Sequence, residues 1–274
     1  MNEQRTYPHG VPCWVDTEQP DTGAATRFYG GLFGWTFEEA MPPGAPGSYL
    51  IAKLHGRDVA AIGPSSVAPS WNTYIAVNDT DAAAAAVVAT GGAVLAEPWD
   101  AGPGGRAAVC ADPAGAQFRL WQPRRRLGAQ VVNVPGAWNF SNLRTGDPGP
   151  ARAFYTAVFG WVVDDMGDGA EAMLRVPGYG EHLARTVDPD IHRRQAGAPA
   201  GFADVVAGME PLAPGHPTEW QVKFSVADRD DSATAAERLG AVIVSTTESP
   251  WTKEAAIRDP QGAEFSLSQF TPPA

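Results

Sequence analysis

The chain has 274 residues, about two domains' worth, and is long enough to bury a core without disulfide or metal staples. Lys and Arg number 20 against 31 Asp and Glu, a net charge of −11, which excludes a binder of nucleic-acid phosphates because no basic surface is present to displace counterions. Gly (30) and Pro (25) are abundant but aperiodic, which excludes collagen and low-complexity disorder and points to many tight turns between strands.

The opening MNEQRTYPHG has no apolar stretch of the signal-peptide kind, and no run of 18 apolar residues follows, so a cytoplasmic chain without a membrane span is expected. Cys13 and Cys110 form no disulfide framework and read as buried thiols of a reduced compartment. VPCWVDT reads as a strand. Asp21 is placed to cap a helix in which Ala24, Ala25, Phe28, Tyr29 and Leu32 recur at helical spacing, and Gly34 can end it. WTFEEA, SYLIAKL and RDVAAIG follow as strands. NTYIAV is another strand, and DTDAAAAAVVATGG is an Ala-rich helix closed by Gly91-Gly92. AVLAEPW, RAAVCAD and AQFRLWQ then complete a second βαβββ unit. Gly102–Arg106 lies between strands and reads as a hairpin loop, with an anion-binding nest as the alternative. Arg124-Arg125-Arg126 is a solvated linker.

The second half repeats the first. Residues 137–161 (AWNFSNLRTGDPGPARAFYTAVFGW) align with 11–35 (VPCWVDTEQPDTGAATRFYGGLFGW), so Asp21, Phe28-Tyr29 and Phe33-Gly34-Trp35 recur 126 residues later. Trp71–Val77 recurs at Trp220–Val226 with an offset of 149, and Asp112–Phe118 at Asp259–Phe265 with an offset of 147. The second half therefore carries about 23 extra residues around DPDIHRRQAGAPAGF, with a short helix expected at 188–196, Asp188 as its cap and Pro189 in its first turn. This insertion and the segment 39–48 are candidate lids.

Four βαβββ units, the D…FY…FGW opening and the DPxGxxF closing strand resemble the vicinal oxygen chelate superfamily of glyoxalases, bleomycin-resistance proteins and extradiol dioxygenases. In tandem form the chain is similar to the two-domain glyoxalase-like proteins of actinobacteria. The resemblance implies an α+β fold: a tandem duplication whose four βαβββ units form two curved half-barrel sheets. The domains are expected at 8–124 and 135–272, with a linker at 125–134. It also implies a divalent metal held by His or Glu from the first, fourth, fifth and eighth strands of each half. Those positions carry Trp14, Asn72 and Arg119 in the first half and Phe140, Gln221 and Ser266 in the second, while RDVAAIG and FADVVAGME offer small apolar residues. Indole, phenyl and guanidinium groups do not ligate a divalent ion. No metal site and no cofactor are therefore expected. His9, His55, His182, His192 and His216 form no ligand spacing, and His182 lies in a strand-to-loop region.

Residues two apart along a strand share a face. The inward set so derived contains Trp14, Asp16, Asn72, Tyr74, Gln117, Arg119 and Trp121, then Phe140, Asn142, Gln221, Lys223, Glu264, Ser266 and Ser268. Asp16 with Arg119 is either a structural ion pair or a general base beside an electrophile, and Tyr74 is a candidate proton donor or a packed barrel tyrosine. Lys223 with Glu264 is the corresponding pair of the second half. The leading expectation is a protein that binds a planar or amphipathic organic metabolite or drug in a cavity without metal. The alternative is a metal-independent lyase, isomerase or tailoring enzyme in which Asp16, Tyr74 and Arg119 transfer protons. The expected partner is a small molecule, with no nucleic acid and no membrane, for a monomer or homodimer whose N-terminal half holds the active pocket.

Overall fold

In the computed structural model, residues 4–45, 47–165, 172–212 and 215–271 are described. The first half contains β1 (Pro12–Gln19), α1 (Thr22–Phe33), β2 (Thr36–Glu39), β3 (Leu50–Leu54), β4 (Arg57–Pro64), β5 (Ser70–Ala76), α2 (Thr80–Ala89), β6 (Ala93–Asp100), β7 (Gly105–Ala111) and β8 (Gln117–Pro123). The second contains β9 (Trp138–Thr145), α3 (Pro148–Phe159), β10 (Val162–Asp165), β11 (Ala172–Arg175), α4 (Tyr179–Thr186), α5 (Ile191–Arg194), β12 (Val205–Pro211), β13 (Glu219–Ser225), α6 (Arg229–Arg238), β14 (Val242–Glu248), β15 (Thr252–Arg258) and β16 (Glu264–Phe270). The α+β class and the duplication are as expected.

The helix boundaries follow from local chemistry. Asp21 accepts from the Ala24 amide and Asp79 from the Ala82 amide, so each carboxylate occupies one of the N–H groups a helix start leaves open. α1 and α3 both end on a left-handed glycine, Gly34 and Gly160. The strands form two eight-stranded mixed sheets, in the orders β2-β3-β4-β1-β5-β8-β7-β6 and β10-β11-β12-β9-β13-β16-β15-β14, and neither closes on itself.

The compact units do not coincide with the halves. One comprises residues 1–13, 73–128 and 141–220; the other comprises 14–72, 129–140 and 221–274. Each joins about half of the first half to about half of the second. In the first unit, α2 contacts α3, and Ile75, Phe118, Leu120 and Leu143 pack with Val87, Phe154 and Tyr155. In the other, α1 contacts α6, and Tyr29 and Phe33 of α1 meet Phe265 and Phe224. Burying such side chains stabilises each unit by about 2–3 kcal/mol per large residue.

A buried polar lock recurs in each unit. In one, the Tyr29 hydroxyl donates to Asp259 Oδ2 at 2.8 Å and accepts from Trp71 Nε1 at 3.0 Å. In the other, Tyr155 donates to Asp112 Oδ2 at 3.1 Å and accepts from Trp220 Nε1 at 2.9 Å. The FGW tryptophans are also equivalent: Trp35 Nε1 donates to the Gly136 carbonyl and Trp161 Nε1 to the Gly10 carbonyl, both at 2.7 Å.

Burial, followed by the facing carboxylate, pushes the Tyr29 and Tyr155 phenols well above their ordinary value. A group that titrates higher in the folded chain contributes fully below its unfolded value and loses that contribution as pH rises past it. Stability should therefore fall above pH ~10, by up to ~1.4 kcal/mol per pH unit for each tyrosine. Urea titrations from pH 8 to 11 measure this. Equal slopes for the native chain and a Tyr29→Phe/Tyr155→Phe variant would assign the alkaline loss to other groups.

The connection between β11 and β12 departs from expectation. The insertion folds as α4, absent from the sequence reading, then α5 and a 3-10 turn at Phe202–Asp204. α5 spans four residues and is preceded by Asp190, not Asp188. Asp188 instead holds the Arg194 guanidinium, so its carboxylate is engaged in an ion pair. His182 consequently sits on a helix, where Nε2 lies 3.0 Å from Thr6 Oγ1.

Candidate active site on the helix-free sheet faces

Alternation along each strand assigns one face to the helices. Ile75, Phe118, Leu120, Leu143, Phe224 and Phe265 lie on that face, so their neighbours Tyr74, Arg119, Asn142, Lys223, Glu264 and Ser266 lie on the opposite one. The candidate residues occupy this second face.

In the unit containing β1, four side chains form one network. Asn72 Nδ2 donates to Asp16 Oδ1 at 2.8 Å, and the Tyr49 hydroxyl donates to Asp16 Oδ2 at 2.9 Å. Trp14 Nε1 donates to the same Tyr49 oxygen at 3.0 Å. Asp16 is fully buried, so its carboxylate depends on these donors in place of water. The structure thus brings together Trp14, Asp16 and Asn72 and adds Tyr49, which the sequence reading left inside a strand without a role.

The other strand pairs of that unit correct one expectation. Lys223 is buried and donates to both oxygens of Glu254, at 3.1 and 2.9 Å, not to Glu264. Glu264 pairs with Arg258, its register partner on β15. Lys223 is level with Ser266, further along β16. Strand alternation identifies a shared face but not a shared height, and that is why the Lys223–Glu264 pairing fails. Ser268 also donates to Glu254, at 3.2 Å. Gln221 and Ser266 are buried in the same unit, and Phe140 is half-buried.

In the unit containing β8, Tyr74 and Arg119 are register partners on parallel strands. Arg119 Nη1 donates to the Tyr74 hydroxyl at 2.7 Å, and the guanidinium carbon lies 5.3 Å from the Tyr74 ring centroid. Trp121 meets Tyr74 edge-on at 6.3 Å and donates to the Arg126 carbonyl, while Gln117 is exposed at the start of the strand. On the second sheet, Asn142 accepts from the Gly208 amide at 3.0 Å and donates to Glu210. The expectation that this fourth strand presents only small apolar residues is therefore corrected by Glu210. A Cβ at 208 would lie 2.8 Å from the Asn142 amide, so a side chain there would have to displace it.

A family model described as a glyoxalase-like domain matches residues 14–121 and again 140–268. The chain belongs to the glyoxalase-like family. "Putative glyoxylase CFP32" of Mycobacterium tuberculosis is 38% identical over 280 residues, covering 99% of each chain. "Anthracycline biosynthesis protein DnrV" of Streptomyces peucetius is 33% identical over 282 residues, covering 95% of this chain and 94% of that protein. Among solved structures, the Mn(II)-bound glyoxalase of Novosphingobium aromaticivorans is similar with a TM-score of 0.59 at 18% identity, covering 96% of this chain and 83% of that one. The 2,3-dioxygenase LapB of Pseudomonas sp. KL28 is similar with a TM-score of 0.61 at 11% identity, covering 95% and 93%. These two likenesses establish the glyoxalase-like fold.

Such a fold implies a divalent metal, and the donor set at the corresponding positions of this glyoxalase-like chain does not fit one. The Trp14 indole N–H is a donor bonded to Tyr49, the Asn72 amide N–H is bonded to Asp16, and Arg119 is a guanidinium bonded to Tyr74. Among the described residues, no three His, Cys, Asp or Glu side chains are grouped to hold an ion. The thiols are remote from such chemistry: burial pushes Cys110 up to about 12 and Cys13 higher still. Among the described residues, no helix is long and apolar enough to cross a membrane.

Proposed function

We propose that this glyoxalase-like protein binds a planar or amphipathic aromatic metabolite on the sheet face that carries Trp14, without a metal ion. The carrying observation is the Trp14–Tyr49–Asp16–Asn72 network. It places an indole and a phenol beside a buried carboxylate, with Trp14 and Asn72 themselves at positions where the family resemblance implies metal ligands. Aromatic walls with a few fixed polar groups suit an organic ligand with a flat apolar body and hydroxyl or amine substituents. That the Streptomyces relative is an anthracycline biosynthesis protein supports this class, since anthracyclines are fused-ring aromatic compounds. The acidic chain has no counterpart for nucleic acid, and a small molecule is the partner proposed.

Quenching of tryptophan fluorescence by an anthracycline, followed by calorimetry, tests the reading. Trp14→Ala and Asp16→Asn are each expected to weaken binding about tenfold or more, equivalent to one lost buried contact of ~1.4 kcal/mol. EDTA treatment should leave the affinity unchanged. A required stoichiometric divalent ion, or native affinity in both variants, would sink the proposal.

A second reading rests on the 2.7 Å contact between Arg119 and the Tyr74 hydroxyl. A phenol held by a guanidinium is a proton donor whose anion is stabilised in place, so the pair could serve a lyase or isomerase step. Loss of turnover in Tyr74→Phe with binding retained would favour that reading, once a substrate is in hand.

A further inference from the structure

The insertion in the second half builds a groove that its repeat lacks. In the first half, β3 connects to β4 through His55-Gly56 alone. In the second half, the equivalent connection is α4, α5 and the 3-10 turn, and they enclose a groove of about 470 Å3 lined within residues 178–204.

The polar side chains that line this groove are Glu181, His192, Gln195 and Asp204. Gln195 lines it, and its Oε1 is buried without a hydrogen-bond partner. An orphaned buried acceptor costs about 1–3 kcal/mol, a cost that a ligand N–H would remove. Glu181 adds a carboxylate at the rim, 3.1 Å from His192 Nε2 and itself two-thirds exposed. Asp204 is occupied by the Gly178 and Gly180 amides. The Ala198, Phe202 and Asp204 amides are donated to carbonyls of the turn itself. Phe202, Ala196 and Pro199 supply apolar wall.

We propose that this groove is a second ligand site, which takes a small organic cation: a primary amine or guanidine on an apolar stem. The cationic head donates to Gln195 Oε1 and to Glu181, displacing His192 from the carboxylate, and the stem lies on the Phe202 wall. An anion is disfavoured because the unsatisfied atom, Gln195 Oε1, is an acceptor and the Glu181 carboxylate at the rim repels it. A neutral alcohol supplies one donor without charge and forgoes the pairing with Glu181.

The test uses the full-length chain with 2-phenylethylamine, agmatine and the neutral 2-phenylethanol as probes, followed by NMR titration. The amine and the guanidine are expected to bind and to shift the signals of residues 178–204, with 2-phenylethanol at least about tenfold weaker, the difference one charge-assisted hydrogen bond makes. Glu181→Gln and Gln195→Leu should each weaken amine binding about tenfold, with the thermal midpoint not lowered, and Trp14→Ala should leave amine binding intact. Equal binding of amine and alcohol, native affinity in both variants, or shifts confined to residues outside the groove would overturn the proposal, as would absence of binding at millimolar probe.

Discussion

Asp259→Ala should be among the most destabilising single substitutions in the chain, at about 3–5 kcal/mol. Asp259 is 5% exposed, and both its oxygens are fully used. Oδ1 accepts from the amides of Gln261, Gly262 and Ala263, at 2.9, 2.8 and 2.9 Å. Oδ2 accepts from the Tyr29 hydroxyl and Gln19 Nε2, both at 2.8 Å. Truncation opens the turn before β16, leaves the buried Tyr29 phenol without its acceptor, and leaves the Gln19 amide with Thr17 Oγ1 alone. The costs are not additive, because the turn can admit water once it loosens. Asp112→Ala removes fewer bonds, two amides at 2.9 Å and Tyr155 at 3.1 Å, and should cost about 2–4 kcal/mol. Urea denaturation measures both. A loss below about 1 kcal/mol at Asp259 would show that the lock is incidental to stability.

Gly128→Ala carries the second large effect. Gly128 has φ +114°, outside the range an L side chain adopts without strain, and a Cβ there would sit 2.5 Å from the Cys13 carbonyl oxygen and 2.8 Å from the Tyr7 ring. Neither neighbour yields easily, since Cys13 is buried in β1 and Tyr7 is half-buried and packed against the hydrophobic core. The expected cost is about 3 kcal/mol or more, combining backbone strain with overpacking. Gly102→Ala is the control. It also has positive φ (+65°), but a Cβ there would meet nothing within 4 Å, so only the strain of about 1 kcal/mol remains. Equal costs at the two positions would remove the steric argument.

Both positions bear on what can be read from sequence. The caps at Asp21 and Asp79, the αL stops at Gly34 and Gly160, and the strands among the described residues are written in local chemistry, which turns and alternation encode directly. α4 is not so written. It starts after the left-handed Gly178, without a side-chain cap, inside a glycine-rich stretch that suggests a loop. Tyr179 and Leu183, four apart and both buried, were the available signal. At the candidate site, the faces were legible and the partners were not. The partner of Lys223 depends on where β15 lies along β16, and Tyr49 reaches Asp16 through the pairing of β3 with β4 and of β4 with β1. Those are tertiary facts with no local trace.

The two Tyr–Asp locks have a consequence for ancestry. Each ties a helix of one half to the closing turn of the other, so neither half contains the acceptor its own FGW helix needs. A single half made alone would bury neither tyrosine correctly, and the nearest source of a matching aspartate is another copy of itself. The covalent chain therefore has the organisation of two identical subunits that exchanged quarters and were later fused. Covalent linkage guarantees that the partner is always present, and only the second half carries the longer connection, between β11 and β12.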